Sequence, residues 1–155
     1  MINISFPDGA VRQYEVGASA LDIAKSISEG LARKVLAANV NGQVWDASRP
    51  ITADATLKLI TWDDAEGKNT FWHSSAHVMA EAVESMFPAA KFWVGPALEK
   101  GFYYDMDLGD KKLTDEDLAI LEKKMNELVK KNNLFSRKEI SKSSSVNFLS
   151  PKSIS

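Results

Sequence analysis

Val16-Gly17-Ala18-Ser19-Ala20-Leu21-Asp22-Ile23-Ala24 reads as the entry into a helix. Ser19 is a capping residue type, and Asp22 three positions on comes close to a capping box. Leu21, Ile23, Ala24 and Ile27 supply an apolar side, and Gly30 is the expected stop. Upstream, Ile2, Ile4 and Phe6 alternate with Asn3 and Ser5, the period of a strand with one buried face. Pro7-Asp8-Gly9 is a turn signal, and Val11 to Val16 returns as a second strand. Downstream, residues 35–40 read as a third strand, Asn41-Gly42 as a tight hairpin turn and Gln43-Val44-Trp45 as its return strand. Leu57 to Ile60 is the last strand. The order β-β-α-β-β-β predicts an α+β class, with one helix crossing a small sheet.

The rest of the chain is organised around Phe71-Trp72-His73-Ser74-Ser75-Ala76-His77-Val78-Met79-Ala80. Residues 61–69 are polar and are expected to be a linker. Beyond them, Trp72, Ala76, Met79, Ala80, Val83, Met86 and Phe87 fall within an arc of about 120° on a helical wheel. Pro88 ends that helix. His73 and His77, the chain's two histidines, lie about 40° apart at the edge of the stripe, with Glu84 between them. Two imidazoles one turn apart suit a structural role, metal binding, or acid–base and substrate-binding work. Strands are expected at Lys91–Val94 and Phe102–Leu108, separated by the Gly95-Pro96 turn. Thr114 caps an acidic first turn, and Leu118, Leu121, Met125 and Leu128 mark the apolar face of a further helix. Its lysines read as a solvated face. Residues 134–140 are expected to form another strand, and 141–155 a Ser-rich, poorly ordered or non-native tail.

Composition narrows the function classes. The chain has 155 residues and a net charge of −2, so no global basic field holds nucleic acid, and RNA contact calls for a local patch. With no cysteine there is no disulfide, thiolate metal site or Cys nucleophile. No run approaches the length of a membrane span, and residues 1–6 do not look like a secretory signal, so the expected location is the cytoplasm.

Phe6-Pro7-Asp8-Gly9, the 16–24 run and Ala38-Asn39-Val40-Asn41-Gly42 together resemble a TGS domain, a ubiquitin-like β-grasp module found on threonyl-tRNA synthetases, some GTPases and stringent-response nucleotide synthetases. His73-Ser74-Ser75-Ala76-His77, followed by Gly95-Pro96 and Gly101-Phe102-Tyr103-Tyr104-Asp105, resembles the start of the editing domain of the threonyl-tRNA synthetase family. The bacterial-type enzyme carries both in this order. The resemblance covers about residues 1–140. It implies a TGS domain over 1–61, a linker over 62–69, and a partial α+β editing domain over 70–140.

The same resemblance implies that the parent attaches threonine to its tRNA using ATP, and that this region belongs to its proofreading apparatus. It carries His73 and His77 over as catalytic residues of a deacylase that removes mischarged serine. Gly95, Tyr104 and Asp105 are carried over as substrate-binding residues. It implies the acceptor end of tRNA as partner, a homodimeric parent, and ATP, magnesium and a zinc held in an aminoacylation domain outside these residues. No metal site is expected here, since two histidines fall short of the three or four ligands zinc takes. A chain cut short or shifted in frame near residue 142 is the accompanying expectation. Trp72, Met79 and Trp93 would then be partly exposed, favouring association. Two competing readings are a non-catalytic TGS adaptor that binds RNA or protein, and a free-standing hydrolase acting on mischarged tRNA.

Overall fold

The computed structural model describes residues 1–133; the expected strand at 134–140 and the Ser-rich tail lie outside the described residues. Five strands form the first sheet: β1 (Ile2–Ser5), β2 (Val11–Tyr14), β3 (Ala37–Val40), β4 (Gln43–Trp45) and β5 (Ala55–Ile60). Their spatial order is β2-β1-β5-β3-β4. The inner pair β1 and β5 is parallel, with Ile4 beside Ala55, and the other neighbours are antiparallel. A parallel pair needs a crossover, and helix α1 (Ala20–Ile27) lies in the connection between β1 and β5. This is the β-grasp arrangement that the resemblance to TGS domains implies.

Local chemistry sets each turn. Gly9 holds φ +84 while its N–H donates to the Phe6 carbonyl at 3.0 Å. Asn41 and Gly42 both have positive φ, as a type I′ hairpin turn requires. At the start of α1 the Asp22 N–H donates to Ser19 Oγ, and the Ser19 N–H donates to Asp22 Oδ2, each at 3.1 Å. Ile4, Ile23, Val40, Ile51 and Leu57 are fully buried between helix and sheet.

Gly30 is not the stop of α1. The chain turns extended at Ser28, whose hydroxyl accepts from the Leu31 N–H at 3.0 Å and starts a short helix α2 (Glu29–Ala32) with Gly30 inside it. The available cap, rather than the glycine, decides the break.

The expected linker at 62–69 is also corrected. Thr61 to Asp64 forms a tight turn, with the Thr61 N–H donating to Asp64 Oδ2 at 2.9 Å. Helix α3 (Ala65–Met86) starts immediately after it. Glu66, Lys68 and Asn69 are exposed residues of its first turns, so their polarity marks a solvated helix face rather than a loop.

Helix α4 (Asp115–Lys131) packs on α3, where Ala82, Val83 and Leu121 form a small buried cluster. Thr114 and Asp117 make a second capping box. Leu118, expected on the packed face, is 49% exposed. The strand expected over 102–108 is split in two. After β6 (Lys91–Phe92), β7 (Ala97–Leu98) pairs with β8 (Gly101–Phe102), and β6 itself pairs with β9 (Met106–Asp107). Backbone bonds between Trp93 and Asp105 and between Asp105 and Val94 prolong the β6–β9 ribbon. Trp72 and Met79 are half-buried, and Trp93 is 85% exposed.

Candidate functional site

Helix α3 brings the two histidines together. The four-residue spacing stacks them on one face, with ring centroids 4.7 Å apart and planes at 85°. His73 Nε2 and His77 Nε2 lie 3.1 Å apart. One nitrogen must donate and the other accept, so this contact holds one proton between the two atoms. A second proton would set two donors against each other. Burial, and then the charge of His73, pushes the His77 pKa below its ordinary value. A neutral imidazole at neutral pH can accept a proton from water. Both rings remain accessible to solvent and therefore to a ligand.

Gly95 and Tyr104 form the second pair. A Cβ built on Gly95 would lie 2.5 Å from Tyr104 Cδ2 and 2.6 Å from Cε2, so the ring occupies the space a side chain would need. Phe92 meets the same ring edge to face at 5.6 Å. Tyr104 is thus clamped between Gly95 and Phe92. Asp105 follows it with an exposed side chain, while its backbone bonds to Trp93 and Val94.

No hydrogen bond or ring contact joins the histidine pair to the Gly95–Tyr104 pair among the described residues. The hairpin between Gly95 and Tyr104 does reach the histidine helix. Helix α3 packs on β7 and β8, and Trp72 beside His73 approaches Phe102 at 6.3 Å. For metal the donor set falls short. Among the described residues no group of three or more His, Asp or Glu side chains gathers in ligand geometry, so Glu81, Glu84 and Asp105 do not complete a site around the histidines.

Sequence reading missed the aromatic junction. Trp62, Phe71 and Trp72 meet edge to face at 5.1 to 5.7 Å where the first sheet gives way to α3. The signal was a tryptophan inside an otherwise polar stretch.

The TGS domain family matches residues 2–61, the whole of the five-stranded unit. Residues 2–61 are a TGS domain. The match to known proteins does not stop where the TGS domain ends. The threonine–tRNA ligase of Cytophaga hutchinsonii is 57% identical over 152 residues, covering 98% of this chain and 24% of the relative. That of Parabacteroides distasonis is 56% identical over 142 residues, 92% of this chain and 22% of the relative. That of Porphyromonas gingivalis is 52% identical over 153 residues, 98% and 23%. The TGS domain and the helical region after it together match the N-terminal part of threonine–tRNA ligases. The chain spans about a quarter of the length of these curated relatives. A match through α3 and α4 does not favour a TGS adaptor unrelated to the ligases. No helix among the described residues is long and apolar enough to cross a membrane.

Proposed function

We propose that this chain is the TGS and proofreading-entry region of a threonine–tRNA ligase. The longer protein joins threonine to its tRNA with ATP and magnesium, and tRNA is its partner. The observation that carries this reading is the identity of more than half of the residues, across nearly the whole chain, to a threonine–tRNA ligase. A homodimeric parent working in the cytoplasm goes with the same reading. Zinc, on this reading, belongs to the aminoacylation domain.

The histidine pair gives the region its chemistry. Serine lacks one methyl group of threonine and keeps the hydroxyl, and a missing methyl is worth only about 1–3 kcal/mol of discrimination. A separate site that hydrolyses the serine ester removes the resulting errors. His73 and His77 are the pair that takes a proton from the attacking water as its oxygen bonds to the ester carbon, and returns it to the ribose oxygen as the ester bond breaks. A neutral His77 supports that role. Tyr104, held by Gly95 and Phe92, and Asp105 contact the aminoacylated end.

The test follows ester loss from serine-charged threonine tRNA, using a ligase that carries this segment. His73→Ala and His77→Ala are each expected to slow hydrolysis by about 100-fold and to leave threonine charging intact. Unchanged hydrolysis in both variants would overturn the assignment.

A further inference from the structure

A cleft of about 460 Å³ opens where the TGS domain meets helix α3. It is lined by two cations, Arg33 and Lys34, and two aromatic rings, Trp62 and Phe71. Trp62 is 45% exposed and Phe71 41% exposed, so both rings offer surface to a ligand. Their edge-to-face contact at 5.1 Å fixes the rings against each other. The Arg33 Nε–H donates to the Glu29 carbonyl at 3.3 Å, which anchors the guanidinium at the rim. Asp63 also lines the cleft, leaving the three side-chain charges with a positive balance.

We propose that this junction cleft is a binding site for unpaired RNA. A base stacks on the face of one ring, Trp62 or Phe71, and meets the other edge-on, since their planes stand at 89°, and the adjoining phosphate is held by Arg33 and Lys34. The Asp63 carboxylate accepts from an exocyclic amine or a ribose hydroxyl. Rings beside cations are the combination that single-stranded nucleic acid uses, because every base has a face to stack and every phosphate a charge to neutralise. The volume accommodates a nucleotide rather than a duplex. A protein segment fits less well, because the lining is a compact set of two rings, two cations and a carboxylate rather than an extended apolar groove. The site is separate from the histidine pair: Phe71 lies about 200° around the α3 wheel from His73. It supplies the local patch that a chain of net charge −2 needs to meet RNA.

The test is an anisotropy titration of a fluorescein-labelled single-stranded RNA hexamer with the 155-residue chain, at low and moderate salt. Binding is expected to weaken with salt, and to fall about tenfold when Arg33→Ala and Lys34→Ala are combined. Phe71→Leu should cause a similar loss. Because Phe71 also packs on Trp72, the rim variant with circular dichroism unchanged is the deciding one. Absent binding, binding indifferent to the rim variant, preference for an RNA duplex of equal length, or equal competition by a Glu-rich peptide would each overturn the proposal. The last outcome would mark a protein-facing surface instead. The probe carries no aminoacyl ester, so the result is independent of whether the histidines hydrolyse one.

Discussion

Gly67 lies against Thr61 so closely that a Cβ built on it would sit 1.9 Å from the Thr61 carbonyl oxygen and 2.8 Å from its carbonyl carbon. The first turns of α3 are thereby pressed onto the end of β5, with Ile60 Cγ2 3.2 Å from the same point. Gly67 is helical, so its torsion angles would accept alanine and only the contact forbids it. Gly67→Ala should therefore destabilise the chain by about 3 kcal/mol, since the obstacle is backbone that cannot rotate away. Gly30→Ala is the control. Its nearest neighbour would be Ser28 Oγ at 3.8 Å, and a glycine replaced inside a helix gains about 0.5–1 kcal/mol. Urea melts of both variants check the contrast, and a neutral Gly67→Ala would show that the junction is looser than the contact implies.

The His77 titration carries its own prediction. Burial is the larger cause of its lowered pKa and the charge of His73 the smaller. An NMR pH titration should show His77 changing below the ordinary histidine value of 6.5. His73→Ala should move it only part of the way back. A full return to the ordinary value would make His73, not burial, the main cause. The sign for stability follows from linkage. Below pH 6.5 the unfolded histidine takes up a proton that the folded one resists, so stability present above that pH is lost as pH falls toward the folded value.

The five-stranded unit was legible because its signals are local. Alternation in Ile2–Phe6, the Asn41-Gly42 pair and Ser19 with Asp22 each determine their own geometry. Apart from the local cap at Ser28, the errors lie where a distant partner decides. The polarity of Glu66 and Lys68 suits a loop or a solvated helix face equally, and only the docking of Gly67 on Thr61 separates the two. Likewise Phe102 to Leu108, alternating bulky and acidic residues from Tyr104 onward, suits one strand, but Phe102 pairs in β8 and Met106 in β9. The histidine contact was readable from four-residue spacing. The clamp on Tyr104 was not, because it joins residues on two different turns of a ribbon.

That clamp predicts coupling. Gly95→Ala would drive a methyl into the Tyr104 ring, at an expected cost of about 1–3 kcal/mol. Tyr104→Ala removes the obstacle while losing the contact with Phe92. The double variant should then be more stable than the two single losses predict, by about 1 kcal/mol in a double-mutant cycle. Additive losses would mean that the ring swings away freely and that Gly95 does not hold it.

The capping box at Ser19 predicts a second, lower pH window. Hydrogen bonds from the Ser19 side chain and then its backbone hold the Asp22 carboxyl below its ordinary value of 3.8. For a lowered carboxyl the stabilisation is complete above the unfolded value and is lost as pH falls through the folded one, as protonation removes the acceptor. Asp22→Asn should therefore reduce stability near neutral pH and flatten the acid limb below about pH 4. Ser19→Ala should cost about 1 kcal/mol, because the Asp22 N–H loses its acceptor at a position where Ser19 is 6% exposed and water cannot easily replace it. Thr114→Ala removes the matching cap of α4, where Thr114 is exposed and water can reach the N–H of half-buried Asp117 in its place. Its cost should be the smaller of the two. Melting curves at pH 7 and pH 3 for these variants separate cap from charge, and equal losses at Ser19 and Thr114 would show that burial around the cap contributes nothing.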